Sequence, residues 1–142
     1  MEHKRKKIVL SIKPIFSDEI YKGNKRIELR RCIGVFFESG SEILIYSTSP
    51  EKAITGSAKI HHIDFMSVTK ITEQYLDDAR IDLASCEAYF QGKANGYMIW
   101  LTDVKRYREP LHMQELKQVG FTAPQSFSYA TRKLIDLVNN KC

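Results

Sequence analysis

Gly23-Asn24-Lys25-Arg26-Ile27-Glu28-Leu29-Arg30-Arg31 reads as a turn running into a β-strand. Side chains on a strand alternate between two faces. Ile27 and Leu29 then point to the core, and Arg26, Glu28 and Arg30 share the other face. Neighbours on one face lie about 7 Å apart, within reach of long side chains. The result is an acid flanked by guanidinium groups, beside a glycine turn that ends in Lys25. Such a cluster can bind phosphate or a polar base edge, or support acid–base chemistry. The plainer alternative is an ion pair tying strands together, worth little if exposed.

Working outward, Lys7 to Lys13 reads as a first strand and Pro14 as the start of a helix, where its missing N–H costs nothing. That helix ends near Lys22, at Gly23, with Ile15, Phe16, Ile20 and Tyr21 near one face. Arg26 to Arg31 is the second strand, Val35-Phe36-Phe37 a short edge or plug, and Ser39-Gly40-Ser41 a turn. Glu42 to Ser47 is a third strand, and Ser47-Thr48-Ser49-Pro50 a loop rich in hydroxyls. Ala53 to Phe65 reads as a long strand with an irregularity at Gly56. The patterns predict helices over 68–79 and 83–90, the second capped by Asp82. A last strand is predicted over 96–107, then helices over 110–119 and 131–139. About five strands broken by helices, without βα alternation, argue for an α+β fold. A small mixed β-barrel flanked by helices is the natural way to close the strand edges.

A chain of 142 residues suits one domain with a real core, here 1–142 with a basic N-terminal tail at 1–7. Residues 1–31 carry ten Lys/Arg against four acids, whereas the remainder carries twelve against thirteen. The net charge of +5 therefore sits in the N-terminal fifth, the footprint expected for a polyanion partner. A solvated tail is the plainer reading of His3-Lys4-Arg5-Lys6-Lys7 alone. No long apolar run suggests a membrane span, and Ile8-Val9-Leu10 is too short for a signal peptide, so the expected setting is the cytoplasm. Cys32, Cys86 and Cys142 are isolated and read as free thiols. His61 and His62, adjacent on a strand, should face opposite ways, and with His3 and His112 they show no metal-ligand spacing. Neither a metal nor a cofactor is expected.

The chain resembles the ASCH domain family, named for homology to activating signal cointegrator. The resemblance rests on Leu10-Ser11-Ile12-Lys13-Pro14, a short helix, Gly23-x-Lys25-x-x-Glu28-x-Arg30, Ile45-Tyr46-Ser47-Thr48-Ser49-Pro50 and Ala53-Ile54-x-Gly56. Looser matches follow at Glu87-Ala88-Tyr89-Phe90-x-Gly92, Gly96-Tyr97, Pro110-Leu111 and Pro124-Gln125-Ser126-Phe127. The resemblance implies a PUA-like β-barrel concerned mainly with RNA and nucleotide recognition. The expected cleft is lined by Lys13, Lys25, Glu28 and Arg30, with Arg31 nearby. Ser47, Thr48 and Ser49 form an adjoining wall, and Gln125, Ser126 and Phe127 close it. Cations would meet phosphate. Tyr46, Tyr97 or Phe127 would stack a base, unless they pack in the core. Glu28 would accept from an exocyclic amine, oriented by Arg30.

Some ASCH relatives are enzymes. Those that remove acyl groups from N4-acetylcytidine share the lysine of Gly-x-Lys, here Lys25. Their threonine nucleophile, three residues on, is replaced by Glu28, and their later acid falls near Asp77, Asp78 or Ala79. A carboxylate does not substitute for an activated hydroxyl. Lys25 and Glu28 could instead act through water, Glu28 as general base with a pKa raised by burial. Other relatives are ribonucleases, for which Lys25, Arg30 and Tyr46 would stabilise phosphate charge. RNA or a nucleotide is thus the expected partner, with DNA or a protein as alternatives.

Overall fold

β1 (Ile8–Ile12) and β3 (Glu42–Ser47) pair in parallel, Leu10 opposite Ile45, in a computed structural model that describes residues 4–141. Both strands are buried on both faces, which is why Ile8-Val9-Leu10 and Ile43-Leu44-Ile45 are apolar without alternation. Inward, Ile8, Leu10, Ile43 and Ile45 pack with Ile20, Ile60 and Ile99. Outward, Val9 and Leu44 pack with Tyr107, Leu116 and Leu134 beneath α5 (Met113–Lys117) and α6 (Arg132–Lys141).

The remaining strands extend this pair into one mixed sheet of order β2-β5-β4-β3-β1-β6. β2 spans Ile27–Arg30, β4 Ala53–Ser67, β5 Asn95–His112 and β6 Phe127–Tyr129. The sheet curls into the half-barrel of an α+β, PUA-like fold. α2 (Val68–Gln74), α3 (Leu76–Ala79) and α4 (Leu83–Tyr89) cover the outer face of β2 and β5 through Ile71, Ala79, Cys86 and Phe90. No helix among the described residues is long and apolar enough to cross a membrane.

α1 (Pro14–Tyr21) starts on its proline and ends where Gly23 takes φ +82°, a conformation that favours glycine. β4 is bulged around Thr55, beside the expected Gly56 irregularity. A Cβ on Gly56 would collide with the Lys105 carbonyl oxygen and meet the Tyr21 hydroxyl at 2.6 Å. The close approach of β4, β5 and α1 therefore requires glycine here.

Several boundaries differ from the sequence reading. Arg26 precedes β2, points outward and pairs with Asp78, so Lys25 rather than Arg26 turns inward beside Glu28. The helix expected over 68–79 breaks at Tyr75 into α2 and α3. Pro110, Leu111 and His112 extend β5, and Leu111 and His112 pair with Ile54 and Ala53. Burial of Leu111 outweighs the helix-start signal of Pro110. Val35 and Phe36 lie in a turn, with Phe37 buried. β6, three residues long, is too short to show a period in the sequence.

His61 and His62 do not face apart. The register shifts between Ile60 and His62, and the two Nδ1 atoms lie 2.7 Å apart. The described part of the basic tail is anchored rather than free: Arg5 pairs with Glu38 at 3.5 Å, and Lys7 with Glu42 at 3.4 Å. His3 and Cys142 lie outside the described residues.

Candidate nucleic-acid interface

β2 and β6 are the two edges of the sheet, and among the described residues no ladder joins them. Arg30 bridges the gap with its side chain. Its Nη2 donates to the Ser11 carbonyl oxygen of β1 at 2.9 Å, and Nη1 donates to the Ser126 carbonyl oxygen at 3.2 Å and to Ser126 Oγ at 3.0 Å. Nε and Nη2 both donate to Glu28 Oε2, at 3.1 and 2.7 Å. All five guanidinium N–H groups are thereby used within the protein. Arg30 organises the seam and has no donor left over for a ligand.

Glu28 and Arg30 face inward because Ile27 and Leu29 face the helical layer, as the alternation requires. Lys25 joins them from the turn, its Nζ 3.4 Å from Glu28 Oε1 and 2.6 Å from the Ala79 carbonyl oxygen it donates to. The ammonium also sits 5.0 Å from the centre of the Phe16 ring. Lys25, Glu28 and Arg30 are only 4%, 7% and 7% exposed. Burial pushes the Glu28 carboxyl up, but Arg30 and Lys25 together outweigh that and hold it below the ordinary value. Glu28 is thus a firmly ionised carboxylate, which corrects the expectation of a general base with a raised pKa. Burial lowers Lys25 from the usual lysine range, against the upward pull of Glu28.

These groups form the floor of a cleft of about 360 Å³, the size of a small-ligand site. Lys13 and Gln125 stand at its rim, with Thr48, Phe16, Ile81 and Tyr89 on its walls. Lys13 is exposed and makes no ion pair among the described residues. The Thr48 backbone N–H donates to Ile12, which fixes that loop against β1.

The other expected residues are spread more widely. Ser47 does not line the cleft and sits in a buried chain of hydroxyls: Ser17 Oγ to Ser47 Oγ at 2.8 Å, Ser47 Oγ to Thr55 Oγ1 at 2.8 Å, and Thr55 Oγ1 to the Tyr21 hydroxyl at 2.6 Å. Burial pushes the Tyr21 phenol well up, so this chain stays protonated across ordinary pH. Ser49 is exposed in the loop and does not line the cleft. Tyr46 is buried against Phe121 at 5.5 Å and offers no stacking face, and Phe127, half-buried, packs edge-on against Phe37 at 4.9 Å and does not line the cleft. Arg31 points away from the cleft, its Nη1 donating to the carbonyl oxygens of Tyr89 and Gln91 at 2.8 and 2.9 Å.

Sequence reasoning missed Phe16, Ile81 and Tyr89 as cleft walls. Tyr89 was within reach, since Glu87-Ala88-Tyr89 carries part of the family resemblance. Ile81 has no such signal, because its position depends on how α3 turns into α4. Among the described residues, no group of three or more His, Cys, Asp or Glu is gathered as a metal site.

A family model described as "Domain of unknown function (DUF365)" matches residues 5–122. A curated relative from Zymomonas mobilis, named ASCH domain-containing ribonuclease, is 30% identical over 141 residues, covering 95% of this chain and 94% of its own. The chain belongs to the ASCH domain family. The crystal structure of ASCH from Zymomonas mobilis superposes with a TM-score of 0.88 at 28% identity, covering 96% of each chain. The N-terminal domain of Staphylothermus marinus McrB shares the fold alone, with a TM-score of 0.62 at 10% identity over 99% of this chain and 96% of that one.

Proposed function

We propose that this protein binds RNA and seats one nucleotide in the cleft above Lys25, Glu28 and Arg30. The observation that carries this reading is a fixed, ionised carboxylate at the bottom of a nucleotide-sized cavity with a free cation at its rim. Arg30 occupies Glu28 Oε2, and Oε1 has only the longer contact to Lys25. Oε1 is the acceptor for an exocyclic base amine, and Lys25 is a donor to a base carbonyl. Lys13 meets the phosphate, with Thr48 and Gln125 beside it. Phe16 and Tyr89 flank the base. The Zymomonas mobilis relative's name favours RNA over DNA or a protein as the partner. The free thiols of Cys32 and Cys86 fit a reducing compartment, and we place the protein in the cytoplasm.

The test is titration of a labelled RNA library and its DNA counterpart with wild-type protein and with Lys13→Ala, across salt. RNA binding whose salt slope flattens in the variant supports the reading. Equal affinity for DNA removes the RNA preference, and an absence of binding removes the reading.

A second reading is RNA hydrolysis, favoured by that relative's name and by the lowered Lys25 ammonium. A lysine brought toward neutral pKa exchanges protons more readily, as general acid–base work requires. Shortened RNA on incubation with wild type, lost in Lys25→Ala, supports it. Intact RNA leaves the cleft as a binding site.

A further inference from the structure

The inner face of the sheet does not end at the cleft. Arg30 on β2 lies opposite Tyr97 on β5, and Tyr97 lies opposite Phe65 on β4. Directly opposed residues share a face, so the three form one cross-strand row. Two strand spacings separate its ends, about 10 Å. Phe65 is 58% exposed, unusual for a phenylalanine on a sheet, and its ring packs against Tyr97 at 4.6 Å. Together they line a separate groove of about 430 Å³ with Arg31, Lys93 and Asn95. Lys93 is exposed, and no acid lines the groove. The two depressions adjoin through Tyr89, which walls the cleft while its hydroxyl accepts from the Arg31 backbone N–H at 3.3 Å.

We infer that this groove is a second nucleotide subsite, which carries single-stranded RNA out of the cleft along the row from Arg30 to Phe65. It rests on the RNA-binding reading of the cleft and gives that reading a direction. Exposed aromatic faces beside cations are the chemistry of sequence-tolerant single-strand binding: bases stack, and lysine and arginine meet the backbone. At about 3.4 Å per stacked nucleotide, the distance from Arg30 to Phe65 corresponds to roughly three nucleotides. The cleft therefore takes the selected nucleotide, and the groove takes its neighbours without regard to base. A protein ligand fits less well, because the groove offers positive charge without an apolar floor broad enough for a helix.

The experiment compares two probes, each offered as a uridine and an adenosine version. One is a nucleoside monophosphate, and the other a 2′-fluoro hexanucleotide that resists cleavage through its 2′-position. Wild type, Phe65→Ala and Lys93→Glu are titrated with each, and thermal melts check that the variants fold. The expected result is tighter binding of the hexamer than of the monophosphate in wild type. Phe65→Ala should weaken the hexamer roughly tenfold, the scale of one lost stacking contact, Lys93→Glu should weaken it by a factor that shrinks as salt rises, and both should leave the monophosphate unchanged. Unchanged hexamer affinity in both folded variants overturns the groove and leaves the cleft standing. Equal affinity of wild type for monophosphate and hexamer does the same. If wild type binds neither probe, the cleft reading has failed and the groove falls with it.

Discussion

The centre of the sheet and its seam are built on opposite principles. At the centre, Ile8, Leu10, Ile43 and Ile45 are wholly buried among other apolar side chains. Each contributes about 1.5–3 kcal/mol by leaving water. At the seam, Lys25, Glu28 and Arg30 are nearly as inaccessible, yet all three are ionisable. Removing charges from water costs several kcal/mol per ion before their mutual attraction and hydrogen bonds offset it. A seam built of leucine would hold the edges together as well or better. Packing alone therefore does not account for the seam's composition, and the proposed seating of a nucleotide above these three residues does.

The largest effect should come from Glu28→Ala, which leaves two buried cations without their acid. A loss of about 3–5 kcal/mol is expected in urea denaturation. A loss below about 1 kcal/mol would mean that solvent reaches Lys25 and Arg30, and the contrast with the centre would collapse. The combined substitution Lys25→Met, Glu28→Leu, Arg30→Met sharpens the comparison from the other side. Stability should hold or rise, by up to about 1–4 kcal/mol, while RNA binding disappears.

Acid should distinguish the regions too. Glu28 has a folded pKa below its unfolded value of about 4.3. The unfolded chain therefore takes up the proton first, and this group's contribution is full above that value and lost as pH falls through the folded pKa. Melting curves should fall more steeply below about pH 4 for wild type than for Glu28→Gln. Parallel curves would show that Glu28 gains nothing from its partners. At the centre, Ile45→Val should cost only about 0.5–1.5 kcal/mol, with no change in pH dependence or RNA affinity. Smallest of all, Lys13→Ala should leave stability within about 0.5 kcal/mol. Its effect belongs to binding, where the salt slope should drop by about 0.7, one phosphate's worth on a single strand.

Much of this fold was legible because its signals are local. The period of two in Ile27-Glu28-Leu29-Arg30 and the Pro14 and Gly23 punctuation of α1 each depend on a few neighbouring residues. Asp82 capping Ser85 through a 2.7 Å bond is of the same kind. The shared face of Glu28 and Arg30 was readable for that reason, whereas the same alternation put Arg26 beside Glu28 where the structure puts Lys25. The role of Arg30 was not: its partners Ser11 and Ser126 lie 19 and 96 residues away, and only closure of the half-barrel brings them together. The same limit explains β6, whose three residues form a strand because β1 offers an open edge. Ser47 illustrates a subtler failure. A hydroxyl in a serine-rich loop suggests a ligand donor, but the bulge at Thr55 supplies it with a buried partner instead.

The open edges carry a last consequence, for behaviour in crowded solution. A sheet that is not closed by its own ladder exposes strand edges on which another chain can polymerise. Here those edges, β2 and β6, are four and three residues long. The charged pair on β2 makes an incoming apolar strand a poor match. The apolar triple variant would keep its fold and lose this protection. It should therefore elute as larger species in size-exclusion chromatography as its concentration rises, while wild type holds a constant elution volume. A constant volume for both would show that edge length alone keeps the copies apart.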